Sequence, residues 1–369
     1  MSENVFGKYT VVDFTRGDFG AVCSEYMGLY GMNVIRVEVP GNKDHENAYL
    51  YAAKNLNKKV VTLDVATEEG LAAMRRILEQ ADIFVENLPN DEIRALSLDY
   101  DAVKAFNPKI LYTSIQPYAT GYKYQDYPSN STTISASGGA TYLCGYAGGE
   151  PLEPGMNLPD IISSAYAAVG LLSMLYAREE SGEGRFMEVA EQDSIIALAR
   201  SSYEFYHNNR RNNRSGNAFP TMPDMVPMDM FRAKDGFVII GCMDPNAFKV
   251  LCTTMGREDM LSDPRYADFR TRAKYKAELN AEISKWTVEH GKEEIMHLLL
   301  EKGRIVCSVV TEIDDVIHNE DLRRLRVMQE IEYGDCGRMY VPTLPCISTE
   351  IQATAVPPVE MSIGELAKQ

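Results

Sequence analysis

Residues 9–39, YTVVDFTRGDFGAVCSEYMGLYGMNVIRVEV, decide the fold. The opening YTVVDF is β-branched and aromatic and reads as a strand. GAVCSEYMGLYG, residues 20–31, reads as a helix closed by Gly31, and NVIRVEV, residues 33–39, as the next strand. A strand, a helix and a strand at this spacing imply parallel pairing through a right-handed crossover.

The alternation continues downstream. KVVTLDV (59–65) is a third strand, and Thr67 opens the helix TEEGLAAMRRILEQA, acidic early and basic late as the helix dipole prefers. DIFVENL (82–88) is a fourth strand, DYDAVKAFNP a short helix, and KILYTSIQPY (109–118) a fifth strand. The Gly- and Ser-rich stretch 130–151 reads as active-site loop mixed with short helix. A helix is expected from Asp160 to about Arg178, then a turn, a strand and another helix through residue 202. The texture changes near residue 208, where a polar and then proline- and methionine-rich linker begins. FRAKDGFVIIGCMD (231–244) carries a hairpin signal at Asp235-Gly236. Helices are expected around 245–256, 273–290 and 292–302, and a β-rich piece at 329–347.

These elements predict an α/β protein with a Rossmann-like large domain, a mostly parallel sheet, and a smaller α+β domain. The large domain spans 1–205 with 315–369 and the small one 222–312, joined by linkers at about 206–221 and 303–320.

The 369 residues are 45% hydrophobic and 24% charged, an ordinary globular composition. A net charge of −16 argues against non-specific nucleic-acid binding. No continuous apolar run approaches a membrane span, and the first residues lack the basic and apolar regions of a signal peptide. Seven cysteines without metal-ligand pairing point to reduced thiols, so a cytoplasmic location is expected. No P-loop, G-x-G-x-x-G, HExxH, EF-hand or paired CxxC motif occurs, and a bound metal is not expected. Neither G-x-S-x-G nor a Cys–His pair supports acyl chemistry by serine or cysteine. The RGD at 16–18 is a strand-end tripeptide, and the histidines at 45, 207, 290, 297 and 318 lie in polar or helix-surface contexts.

One carboxylate stands out. Asp160 sits at the mouth of a small-residue, apolar helix in EPGMNLPDIISSAYAAVGLL, residues 153–172. Local sequence reads it as a helix cap. The other reading is a nucleophile.

Four ordered blocks resemble the family III CoA-transferases of the carnitine and bile-acid (CaiB/BaiF) type. They are residues 11–41; NLNKKVVTLDVATEEG (55–70); ADIFVENLPND through LSLDYDAVKAFNPKILYTSI (81–115); and PLEPGMNLPDIISSAYAAVGLLSMLYAREESGEGRFMEVAEQDS (151–194). Weaker similarity continues through 263–283, so the resemblance covers nearly the whole chain. It places Asp160 at the family's catalytic aspartate. There the carboxylate attacks an acyl-CoA thioester, forms a mixed anhydride, and passes through an aspartyl-CoA thioester. The implied CoA-contacting set is Arg16, Asp18, Phe19, Leu63, Asn87 and Arg94. Coenzyme A or acyl-CoA is then substrate rather than a resident cofactor, with a free carboxylic acid as co-substrate. An interlocked homodimer is also implied.

The chain departs from the family pattern at several positions. Val39, Pro89 and Ala95 stand where other members carry basic residues, with Arg94 one position off. Asp18 lies where some members place a glutamine. Lys58, Lys59 and Arg36 read as surface or fold residues. A 2-methylacyl-CoA racemase would need a histidine near PSNSTT, at Ser129 or Asn130, yet none occurs between His45 and His207. A non-catalytic acyl-CoA-binding or regulatory paralogue is the alternative from another class.

Overall fold

The computed structural model describes residues 6–17, 20–146, 148–210, 212, 214, 216, 225–242, 244–303, 305–346 and 353–367. Two compact units share the chain: 1–140 with 154–198 and 317–369, and 141–153 with 199–316. Residues 141–153 thus group with the second unit, whereas the sequence reading put them in the large domain.

The first unit runs β1 (Thr10–Phe14), α1 (Ala21–Leu29), β2 (Asn33–Glu38), α2 (Ala48–Lys54), β3 (Lys58–Thr62) and α3 (Glu68–Glu79). It continues through β4 (Ile83–Glu86), α4 (Asn90–Ala95), α5 (Tyr100–Phe106), β5 (Leu111–Gln116) and α6 (Ser131–Ser137); α7 (Ala140–Leu143) follows, all but its first residue assigned to the second unit. Then come α8 (Leu158–Ser181), β6 (Arg185–Ala190) and α9 (Glu191–Leu198). As expected, Thr67 caps α3 by accepting a hydrogen bond from the Gly70 amide.

Strand pairing is parallel throughout this sheet. Its seven strands lie in the order β12-β3-β2-β1-β4-β5-β6, where β12 (Val359–Glu360) is a short strand from the C-terminal piece that adds an edge beside β3. The period-2 alternation of a strand sorts the apolar side chains onto two faces. Val12, Phe14, Ile35, Val37 and Val61 pack with Ala73, Met74 and Leu78 of α3, Ile93 of α4 and Val103 of α5. Val11, Val34, Ile83, Val85 and Leu111 pack with Cys23 and Met27 of α1 and Ala167, Leu171 and Leu175 of α8. By length and composition α8 could cross a membrane, yet the face carrying those three residues is core.

In the C-terminal piece, β10 (Met328–Glu332) and β11 (Arg338–Pro342) form an antiparallel hairpin, the expected β-rich segment. The second unit carries the antiparallel sheet β7 (Met228–Ala233), β8 (Gly236–Gly241) and β9 (Val306–Val309), with the hairpin at the expected Asp235-Gly236. Its helices are α10 (Arg200–Asn209), α11 (Pro245–Thr254), α12 (Phe269–Lys274), α13 (Lys276–Thr287) and α14 (Lys292–Gly303). The helix expected over 273–290 is therefore two, broken at Tyr275 where φ −113° and ψ 25° leave the helical region.

Candidate active site

Helix α8 begins at Leu158, two residues before the expected start, with Asn157 at its N-cap and Pro159 in its first turn. Proline suits that position because its missing N–H has no partner there anyway. Asp160 is consequently inside the first turn, and the capping reading is corrected: among the described residues its side chain accepts from no backbone amide of its own helix. Instead Oδ1 accepts from the Gly20 N–H (3.2 Å) and Ser164 Oγ (3.4 Å). Oδ2 faces Lys54 Nζ at 3.1 Å and accepts from Asn157 Nδ2 at 3.5 Å. The Asp160 residue is fully buried. Burial pushes its carboxyl above the ordinary aspartate range, against the Lys54 ammonium and the Gly20 and Ser164 hydrogen bonds, which pull it down.

Gly20 explains how a backbone amide reaches that carboxylate. Its φ of +83° lies in the left-handed region, which glycine enters without the Cβ clash other residues meet. A Cβ there would stand 3.0 Å from Thr15 Cγ2.

A buried ionic network fixes the turn that holds Gly20. Asp13, on the α1/α8 side of β1, receives Lys58 Nζ at 2.8 Å, and Lys58 also donates to the Ala21 carbonyl and Asn55 Oδ1. Thr15 N and Oγ1 donate to Asp13 Oδ1, and Ser24 Oγ to Oδ2. Arg36 bridges Asp13, Glu38 and Asp44. Both ends of the β1–α1 turn, Thr15 and Ala21, are thereby tied to buried charge. Burial disfavours the Asp13 carboxylate, but the Lys58 ammonium and Arg36 guanidinium hold it well below the usual range. Glu25, on the next turn of α1, makes no ion pair among the described residues, and burial pushes it to about 8 against the weaker pull of Lys58 and Lys54.

The expected CoA-contacting residues scatter by role. Asn87 and Arg16 grip each other reciprocally: the Arg16 N–H donates to Asn87 Oδ1, and Asn87 Nδ2 to the Arg16 carbonyl, both at 2.8 Å. The Arg16 guanidinium is held by Glu92 and lies over the Phe14 ring. Arg94 is exposed on α4 and makes no ion pair among the described residues. Leu63 is buried just past the end of β3, its side chain in the core with Val37 and Val61. Asp18 and Phe19 lie outside the described residues. Lys58 and Arg36 are fold residues as expected, though wholly buried rather than on the surface.

Lys54 went unread in the sequence because helix α2 did. The available signal was Asn47, whose side chain caps α2 by accepting from the Leu50 amide, followed by the helix-forming AYLYAAK. Lys54 also lines a cavity of about 210 Å³ with Gly17, Ala21, Arg36 and Lys43. At the other side of the carboxylate, Asn157 Oδ1 is buried with no hydrogen-bond partner among the described residues. Among those residues no cluster of three or more His, Cys, Asp or Glu side chains is placed to hold a metal.

The arrangement is a buried carboxylate with donors on both oxygens, at a helix start and beside the carboxyl ends of parallel strands, where open α/β sheets bind ligands. The fold is shared with a CaiB/BaiF family protein from Brucella suis, with a TM-score of 0.87 at 22% identity over 98% of this chain and 97% of that one. In sequence, the chain is 28% identical to a succinyl-CoA:mesaconate CoA-transferase of Haloarcula marismortui, covering 92% of this chain and 89% of the relative. A succinate–glutarate CoA-transferase of Agrobacterium fabrum is 26% identical over 88% of this chain and 85% of its own length. The model of CoA-transferase family III matches residues 8–359, so the chain belongs to CoA-transferase family III.

Proposed function

We propose that this protein moves CoA from an acyl-CoA to a free carboxylic acid with Asp160 as the covalent nucleophile. An Asp160 oxygen bonds to the thioester carbonyl carbon, the C–S bond breaks, and a mixed anhydride and CoA thiolate result. The thiolate attacks the Asp160 carboxyl carbon and releases the donor acid, leaving an aspartyl-CoA thioester. The incoming carboxylate displaces CoA from that thioester, and the thiolate then takes the new acyl group and frees Asp160. Each tetrahedral adduct at the Asp160 carbon carries its negative charge on an oxygen that already faces two donors, which is the arrangement an oxyanion requires. The observation that carries this reading is the burial of Asp160 with donors on both of its oxygens, Gly20 and Ser164 on one and Lys54 and Asn157 on the other.

Asp160→Asn tests it. Asparagine keeps the shape but cannot form the anhydride, so exchange should fall by at least about 10³-fold with the fold intact. Wild type incubated with acyl-CoA should carry a hydroxylamine-sensitive CoA adduct at Asp160. A folded variant with undiminished exchange removes the nucleophile assignment.

The family likeness also supports an interlocked homodimer. Tyr166, Val169 and Tyr176 leave apolar surface exposed on α8 for a partner to cover. Sedimentation of a monomer at micromolar concentration would refute the dimer.

A further inference from the structure

A buried carboxylate that must react as an anion needs something to keep it charged. In water the solvent does this; at Asp160, with no exposed surface, it falls to the neighbouring groups. The titratable groups around it are of both signs. Helix α1 brings Cys23, Glu25 and Tyr26, each of which feels the Asp160 charge as a repulsion. Helix α9, packed on α8, brings the buried Glu191. Lys58, on β3, spends its ammonium on Asp13, the Ala21 carbonyl and Asn55. Lys54 supplies the cation in direct contact, 3.1 Å from Oδ2, with its side chain 13% exposed beside the cavity it lines.

We propose that Lys54 is a positioning residue for Asp160, one whose ammonium keeps the buried carboxylate ionised and aimed between turnovers and takes up the site's anion when Asp160 is acylated. This rests on the CoA-transfer reading given above. Acylation moves one negative charge from the Asp160 oxygen to the CoA sulfur as the O–C bond forms and the C–S bond breaks. Lys54 keeps its proton throughout, so its charge is left beside an anhydride and next to the departing thiolate. When that thiolate attacks the Asp160 carbon, the released donor carboxylate becomes the anion beside the ammonium. A fixed cation therefore serves every state of the site, while Gly20 and Ser164 add neutral hydrogen bonds to the other oxygen, Oδ1.

The sign of the effect is set by burial. Burial raises the Asp160 carboxyl, and Lys54 is the largest influence opposing it. Replacing Lys54 by the uncharged Met should move the Asp160 titration up by about one pH unit or more, the scale for an opposite charge at contact distance. Lys54→Arg should restore it. The readout is the carboxyl signal of Asp160 in ¹³C-aspartate-labelled full-length protein, assigned by its loss in Asp160→Asn. In parallel, the acid limb of the exchange rate should move up by the same amount, with kcat at least about tenfold lower below it and recovering at high pH. A residue that only supported the fold would lower kcat equally at all pH and would not be rescued by arginine. Lys54→Gln serves if Lys54→Met fails to fold. A folded Lys54→Met or Lys54→Gln with the Asp160 titration unmoved overturns the proposal. If wild type neither exchanges CoA nor traps an adduct, the functional reading falls, and the titration still decides the role of Lys54.

Discussion

The two units each bury an arginine, and they do so in opposite ways. Arg36 meets three carboxylates, those of Asp13, Glu38 and Asp44, at 3.4, 2.7 and 2.7 Å. Arg272 of α12 makes no ion pair with a carboxylate among the described residues. Its Nε donates to the Val226 carbonyl (2.7 Å), Nη1 to that of Tyr266 (3.1 Å), and its guanidinium lies 4.2 Å from the Phe248 ring centroid. The consequences for charge differ accordingly. Burial works against both cations, but the carboxylates outweigh it at Arg36 and hold its proton more tightly, whereas at Arg272 burial prevails and loosens it. Carbonyls and a ring suffice to stitch α12 to its neighbours. The β1–α1 turn has a further task, to aim the Gly20 amide, and there the protein buries anion and cation together.

The largest effect that can break this comparison comes from removing one member of the charged cluster. Lys58→Met leaves the buried Asp13 with Arg36 as its one ion-pair partner among the described residues, and should destabilise the first unit by about 3–5 kcal/mol at pH 7. Asp13 has a folded pKa depressed below its unfolded one. Its contribution is therefore fully present above the unfolded value near 3.8 and is lost as pH falls through the lower folded value. In Lys58→Met the folded value rises toward or past the unfolded one, so the acid loss from Asp13 shrinks or reverses and the variant's cost should be smaller at pH 4 than at pH 7. Arg272→Met strands no charge and only orphans two carbonyls, so about 1–3 kcal/mol is expected. Denaturant unfolding of both variants at pH 7 and pH 4 reads the difference. Equal costs, or an acid limb that does not move in Lys58→Met, would show that the counter-charges near the site do no more than carbonyls do elsewhere.

Much of this fold was legible because strand and helix periods are local. The parallel strands β1 to β6 and the β7–β8 hairpin fall where the apolar pattern puts them. Long-range polar partners were not legible. Lys58 reads as a surface lysine in NKKVV, and only the fold brings its amine to Asp13, 45 residues away. The C-terminal edge strand Val359–Glu360 is two residues long, too short for any period to show. Asp160 itself was found through four family blocks rather than through its own environment. Its local reading as a cap failed because the helix starts at Leu158, and a start displaced by two residues turns a capping carboxylate into one that faces across to Gly20 and Lys54. Lys54 shows the same limit. Its seven-residue helix is too short to stand out in a polar loop, and the significance of the lysine lies in a residue over a hundred positions away.

The smallest expected effect sharpens the comparison from the solvent side. Arg265 in the second unit has two carboxylate partners, Asp263 at 2.7 Å and Glu278 at 3.1 Å, nearly the complement of Arg36. Its side chain is 48% exposed, and that of Glu278 55%. Water competes for every one of these contacts, and mobile ions screen them. Counting partners would rank Arg265 beside Arg36; weighing desolvation ranks it far below. Arg265→Ala, Asp263→Ala and the double variant should all unfold at the wild-type denaturant midpoint within measurement error, at low salt and at high. The chain loses contacts in each but leaves no charge out of water, and the freed partners are simply hydrated. A loss at Arg265 as large as that of Lys58→Met would mean that the number of ionic partners, rather than their removal from solvent, sets what a charge contributes in this protein.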